Sequence, residues 1–237
     1  DQPGVEYMVL LSSMEIINYP EYLGSLAKIF HKAGISWTLS SEAFEATNAG
    51  IQIGNSDLAR VIVSRIVDAA ERLGVKKVLS PECGHAYMAI RWEGPNLIGR
   101  PFKFEVVHVL ELLEELRARG VLKMKDKLNK PVTLHDSCQI VRRGGVLNAP
   151  EGLVKEAVIE FRPMAEHNKW NWCCGGGGGV VAIHEPKSEA LRMKVFKRKK
   201  DQIDETGAKT IVLFCATCRS SIEDGIDHYG MNTELIG

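Results

Sequence analysis

The 237-residue sequence predicts an α/β fold of two pseudo-repeated halves with mostly parallel strands. Three observations predict it. Short apolar runs of strand length alternate with longer segments whose apolar residues recur at helical spacing. The strand–helix order starts again after a polar stretch, 117–130, that reads as a linker. The halves also align on one another. Residues 11–14 over 136–139 put Ser13 on Cys138, and 37–42 over 170–175 put Ser40 and Ser41 on Cys173 and Cys174. Residues 78–83 over 213–218 put Ser80 on Cys215 and Cys83 on Cys218. The expected division is 1–120, a first repeat with most cysteines replaced, and 121–237, a second repeat that carries them. The functional site is expected in the second half, near the interface between the two.

In the first half, VEYMVLL (5–11) and SWTL (36–39) have strand length, and 20–34 opens with Pro and closes with Gly as a helix does. Residues 56–74 form a second helical pattern ending at Gly74, followed by the strand VKKVLS (75–80). Residues 104–120 begin extended and become an amphipathic helix ending at Gly120. In the second half KPVTLHD (130–136) is a strand, and 152–161 reads as helix running into strand. A long helix spans 186–207 with Pro186 near its start. A strand at 208–214 and a short helix at 219–230 complete the pattern.

Formal net charge is zero, with 25% charged and 45% hydrophobic residues, an ordinary globular composition. Neutrality excludes nucleic acid as the main expected partner, because phosphate binding calls for a basic excess. No apolar run reaches the roughly 18 residues that a membrane span needs. No basic-then-apolar leader opens the sequence, and its first residue is Asp1 rather than Met, so a piece of a longer protein is expected.

Chemistry concentrates in the cysteines. Five fall in the second half as C-x34-C-C-G-x39-C-x2-C: Cys138, Cys173, Cys174, Cys215 and Cys218. Without a secretory signal, metal binding or redox work is expected ahead of disulfides, and neighbours such as Cys173 and Cys174 bridge one another only with strain. Thiolates select soft metals. A zinc tetrahedron takes four ligands, so five exceed it. Adjacent cysteine side chains tend to diverge, which suits different metal atoms of a polynuclear iron–sulfur cluster. Gly175 to Gly179 follow directly. Without side chains, Gly175, Gly176 and Gly177 would let backbone N–H groups approach cluster sulfurs. A phosphate-binding loop would need Lys after its last Gly, and Val180 stands there instead. A plain flexible linker would not explain the cysteines beside it.

Cys138, CCG at 173–175 and CATC at 215–218 resemble the cysteine-rich CCG domain of heterodisulfide reductase catalytic subunits. SPECGHAY (80–87), HDSC (135–138) and CCGGGGG (173–179) resemble its DsrK-type branch over most of the chain. The resemblance implies that the five cysteines hold one non-cubane [4Fe–4S] cluster per chain where a disulfide or trisulfide is cleaved or formed. It implies a DsrC-like small protein as substrate, and ferredoxin-type and membrane subunits as partners on the cytoplasmic face of a membrane complex. Family members with two motifs hold two clusters; this sequence keeps one motif, and no ferredoxin motif precedes it.

Six further residues are candidates. Cys83 would be a substrate-exchanging thiol or extra ligand, or else a small buried hydrophobe. His85 beside it would lower that thiol's pKa or deliver protons. Arg142 and Arg143 would clamp a substrate carboxylate, unless they are ordinary surface arginines. His135 and Asp136 suggest a proton relay against simple strand-end hydrogen bonding. The basic run 194–200 reads as a solvated face before a docking patch. Trp37, Trp92, Trp170 and Trp172 read as packing, the last two as shields against water. The competing functions are an electron-transfer subunit without a substrate site and a metal-stabilised assembly module.

Overall fold

A computed structural model describes residues 1–80 and 82–237. They divide into two compact units, Asp1–Lys123 and Met124–Gly237. In the first, β1 (Tyr7–Val9) leads through α1 (Ser13–Asn18) and α2 (Glu21–Ala33) to β2 (Trp37–Thr38). Then come α3 (Ala49–Gln52), α4 (Ser56–Leu73), β3 (Lys77–Ser80) and α5 (Gly84–Met88). A π-helical turn, Ala89–Glu93, joins α5 to α6 (Gly94–Ile98), and β4 (Glu105–His108) passes directly into α7 (Val109–Ala118). The second unit runs β5 (Leu128–His135), α8 (Ala149–Ala157), β6 (Val158–Phe161), α9 (Pro186–Thr206), β7 (Thr210–Leu213), α10 (Ala216–Tyr229) and β8 (Glu234–Ile236).

Each unit holds a four-stranded sheet with all pairs parallel, in the orders β2-β1-β3-β4 and β6-β5-β7-β8. The two orders are the same, strand for strand. Such sheets are covered on both faces, so their strands lose the apolar–polar alternation of half-exposed ones. All three residues of β1 and all four of β7 are buried. Tyr7, Phe30, Leu79 and Leu112 anchor one core, and Val132, Leu134, Val154 and Val212 the other.

The long helices obey matching local rules. Asn55 caps α4, its side chain accepting from the Leu58 N–H, and α9 opens on Pro186. Both end at a glycine in the left-handed conformation, Gly74 and Gly207. Aligned at those glycines, the buried faces coincide: Ala59 with Arg192, Val63 with Phe196, Ile66 with Lys199, and Ala70 with Ile203. Phe196 seats against α10 where Gly225 leaves room; a Cβ there would lie 2.2 Å from its ring.

Some expectations need correction. Helix α10 starts at Ala216, not 219, which moves Cys215 to its N-cap and Cys218 into its first turn. Cys83 is likewise the N-cap of α5. It therefore matches Cys215 rather than Cys218, because two residues separate it from the end of β3 while one separates Cys215 from β7. Three tryptophans are not packed: Trp92 is 50% exposed, Trp170 72% and Trp172 49%. Long cationic side chains lie over their rings, Arg91 over Trp92, Lys169 over Trp170 and Arg198 over Trp172. Trp37 does pack, edge-on to Phe30 at 5.5 Å. No helix among the described residues is long and apolar enough to cross a membrane.

Candidate metal centre

Parallel strands end on the same side, and loops after their C-terminal ends are where such sheets gather functional groups. Cys138 follows β5 by three residues, and Cys215 follows β7 by two. Cys173 and Cys174 come from the loop ahead of α9. None of the six cysteines is disulfide-bonded.

The five cysteines of the second unit form one contiguous group. Cys138 Sγ lies 3.9 Å from Cys173 Sγ, and Cys174 Sγ lies 3.4 Å from Cys218 Sγ. Cys218 interacts in turn with Cys215. Within the adjacent pair, Cys173 lies against Cys138 and Cys174 against Cys218, and the two also contact one another. Cys174, Cys215 and Cys218 are buried, and Cys138 and Cys173 half-buried.

The glycine run supplies N–H donors at close range. Gly175 N–H points at Cys173 Sγ at 3.3 Å, and Gly176 N–H at Cys174 Sγ at 3.5 Å. Gly175 has φ +86°, a conformation side chains resist. A Cβ on Gly176 would fall 2.6 Å from Ser221 Cβ. Ser221 is itself fixed, its hydroxyl donating to the Cys174 carbonyl at 3.0 Å. Gly177 is half-buried beside them.

Electrostatics separate the thiols. Hydrogen bonds from Cys138 and Cys174, with the Gly175 N–H, hold the Cys173 thiol far below its ordinary range. Cys138, which donates to it, is pushed up, and so is Cys218 through its contacts with Cys174 and Cys215. Cys174 rises to about 12, chiefly through its contact with Cys173. Five thiols this close cannot all ionise without a cation among them, and a bound metal reverses that preference.

Two buried bases border the thiols. One ring nitrogen of His135 lies within 4.8 Å of the Cys174 and Cys218 sulfurs as one compact set. Neither ring nitrogen has a hydrogen-bond partner, and burial draws its pKa down to about 3. Lys199 reaches in from α9 with 1% exposure. Burial draws its ammonium down to about 8, against an opposing pull from Cys174, Asp136, Cys218 and Cys173. Asp136 accepts from the Asn168 N–H at 2.5 Å, which makes it a loop anchor, and burial raises its pKa.

The remaining candidates have other surroundings. Arg142 and Arg143 are exposed, and Arg142 donates to the Asn171 carbonyl at 2.8 Å, two residues before Cys173. Cys83 and His85 belong to the first unit, where Cys83 Sγ lies 3.8 Å from Thr47 Oγ1 and His85 is half-buried. Three serines aligned with the clustered cysteines bond neighbouring groups of the first unit. Ser40 accepts from the Glu42 and Ala43 N–H groups, Ser13 bonds Glu45, and Ser41 bonds Asp1. In the basic run, Lys197 pairs with Asp201, Lys200 with Asp204 and Arg198 with Glu166. Three of the run's cations are thus paired with nearby carboxylates.

Sequence reasoning missed Lys199 and Ser221. A signal for the first was present: Arg192, Phe196, Lys199 and Ile203 form one stripe of α9, and Lys199 alone of the run's last four cations has an apolar residue, Ile203, four positions on where Lys197 and Lys200 have aspartates.

The profile of the Cysteine-rich domain, CCG, matches residues 132–223. The chain is 31% identical over 206 residues to a dihydromethanophenazine:CoB–CoM heterodisulfide reductase subunit of Methanosarcina barkeri, covering 85% of this chain and 49% of that one. It is 30% identical over 206 residues to the EtfAB:quinone oxidoreductase of Syntrophomonas wolfei, covering 85% and 28%. The chain thus spans half or less of the length of these relatives. Among solved structures, a hypothetical protein from Helicobacter pylori shares the fold, with a TM-score of 0.65 at 12% identity over 99% of this chain and 47% of that one. The thiol group lies inside the matched domain, and by that domain and its relatives the chain belongs to the CCG-domain family of heterodisulfide-reductase-like proteins.

Proposed function

We propose that the chain is an iron–sulfur redox subunit that reduces, or in reverse forms, a disulfide or trisulfide. Cys138, Cys173, Cys174, Cys215 and Cys218 would hold one non-cubane [4Fe–4S] cluster. The observation that carries this is the continuous group of five soft donors in which the adjacent pair turns to different partners. Zinc's four-ligand shell would leave one thiol over. When bound, the cluster supplies electrons one at a time to a bond whose cleavage takes two.

The chain's own residues prepare that site. Gly175 and Gly176 direct N–H groups at ligand sulfurs, which stabilises negative charge on them. Their lack of side chains keeps that approach open. Arg142 holds the loop before Cys173 through Asn171 and keeps its exposed guanidinium for a substrate carboxylate beside Arg143. The resemblance to the DsrK-type branch supports a DsrC-like small protein as substrate, with ferredoxin-type and membrane subunits as electron partners on a cytoplasmic membrane face. Cys83 is assigned no ligand role here; its packing against Thr47 supports that of a small buried side chain.

A second function has a specific observation behind it. One relative is named a quinone oxidoreductase, which supports electron transfer without a sulfur substrate. Anaerobic purification and metal analysis test the first step. Brown protein with about four irons and four sulfides per chain is expected, lost in Cys173→Ser and kept in Cys83→Ser. Colourless, zinc-loaded protein would sink the proposal. The oxidised-state paramagnetic signal then separates the two functions: a change on adding a dithiol peptide supports sulfur chemistry, and indifference supports electron transfer alone.

A further inference from the structure

The most costly residue in the second unit is Lys199. It sits on α9 with 1% exposure, among Phe196, Gln202 and Ile203, all buried. Burying an ammonium requires compensation from opposite charge or hydrogen bonds. Among the described residues its one hydrogen-bond acceptor is the Met164 thioether at 3.5 Å, a weak acceptor. Among the described residues no carboxylate forms an ion pair with it, although each neighbouring cation of the run has one. The fold itself does not ask for a cation there. The matching position of α4, also eight residues before a glycine C-cap, holds Ile66, buried and apolar. The unit with the apolar residue keeps one cysteine, and the unit with the lysine keeps five.

The groups whose charge acts on the ammonium are Cys174, Asp136, Cys218 and Cys173, and a ring nitrogen of His135 lies within 4.8 Å of the Cys174 and Cys218 sulfurs. Asp136 is only a partial counter-charge, since burial disfavours its ionised form and its carboxylate is engaged by Asn168. An iron–sulfur core held by five thiolates is an anion, and its net charge and surroundings set its reduction potential. Resting on the cluster assignment above, we propose that Lys199 is a positioning charge for the cluster: a buried ammonium within electrostatic reach of the thiol group that favours the reduced, more negative state. Taking the charge away makes adding an electron harder, so the potential falls.

The test is a redox titration of the whole chain, followed by its paramagnetic signal, in wild type, Lys199→Met, Lys199→Gln and Lys199→Arg. Methionine keeps the side chain's length and packing without its charge. Full iron content is expected in Lys199→Met, with the one-electron reduction equilibrium shifted at least tenfold toward the oxidised state. That shift is about 59 mV for a one-electron couple. Lys199→Arg restores most of it. If neither neutral variant retains iron while Lys199→Arg does, at near wild-type potential, the charge is needed for assembly itself and the proposal stands. Full clusters at unchanged potential in the neutral variants would overturn it and assign Lys199 to Asp136 alone. Loss of iron in all three would also overturn it, because volume rather than charge would then be what the site needs. Wild-type protein without iron would instead defeat the cluster assignment, a result distinct from all of these.

Discussion

At Gly176 one methyl group is enough to disturb the centre. Its Cβ would lie 2.6 Å from Ser221 Cβ and 2.9 Å from its hydroxyl, both closer than packed atoms tolerate. Either Ser221 moves, releasing the Cys174 carbonyl, or the loop moves, withdrawing the Gly176 N–H from Cys174 Sγ. Gly176→Ala should therefore destabilise by about 1–3 kcal/mol, the usual range for overpacking, and lower iron content. Adding Ser221→Gly should recover part of the loss. Gly178→Asn is the control: φ is +67° but no atom lies within 4 Å of a Cβ there, and Asn tolerates that conformation. Melting temperature and iron per chain in the three variants decide it; equal damage from Gly176→Ala and Gly178→Asn would refute the steric account. At this scale the sequence was informative where chemistry forbids substitutes. Five cysteines and a glycine run admit few explanations, whereas Lys199 was hidden because a buried lysine and a solvated one are written with the same letter.

The α7 N-terminus shows what a helix end can do with an unusual cap. His108 closes β4 and caps α7, with its Nδ1 accepting from the Leu110 N–H at 3.2 Å. Glu111 returns the bond to the His108 N–H at 2.8 Å, completing a capping box. The ring is buried edge-on to Tyr87 at 5.1 Å. Burial holds its pKa down to about 3, against 6.5. A proton on Nδ1 would remove the cap acceptor. The unfolded chain takes up that proton as pH falls through about 6.5, and the folded chain does not until about 3. His108's contribution is thus complete above pH 6.5 and declines as pH falls toward 3. Buried Glu15 works the other way: its raised pKa gives stability that is present at low pH and lost as pH rises above 4.5. His108→Asn keeps a cap acceptor without the titrating ring. Between pH 7 and pH 5 the urea midpoint should drop less in His108→Asn than in wild type; an equal drop in both would remove His108 from the acid limb. Elements of this kind were partly legible. The long helices announced themselves through Pro186, Gly74 and Gly207, and the strand-to-helix passage at 104–120 was visible as a change of period. The α5–α6 stretch was not: Gly94 and Pro95 interrupt its helical pattern where the chain makes a π turn and continues. Nor was the start of α10, where Cys215 stands in an N-cap position that favours Ser or Asp.

The two units pose the same folding problem and solve it with different chemistry. Both build a four-stranded parallel sheet in the same order, and both have a core of their own. In the first, serines at the aligned positions satisfy neighbouring backbone and carboxylate groups. The second brings five thiols to one end of its sheet, where Cys138, Cys174 and Cys218 all resist ionisation without a cation. Metal binding to these thiols is then expected to be linked to folding of that unit alone. Hydrogen exchange on iron-loaded protein before and after anaerobic chelation measures this directly. Amides of 173–179 and of the first turn of α10 should lose protection on chelation, because Gly175 and Gly176 donate to the Cys173 and Cys174 sulfurs and Cys215 starts that helix. Amides of β1, β3 and α4 should keep theirs. An equal loss in both units would mean that the metal stabilises the chain as one cooperative body, and the parallel between the sheets would then describe topology but not energetics.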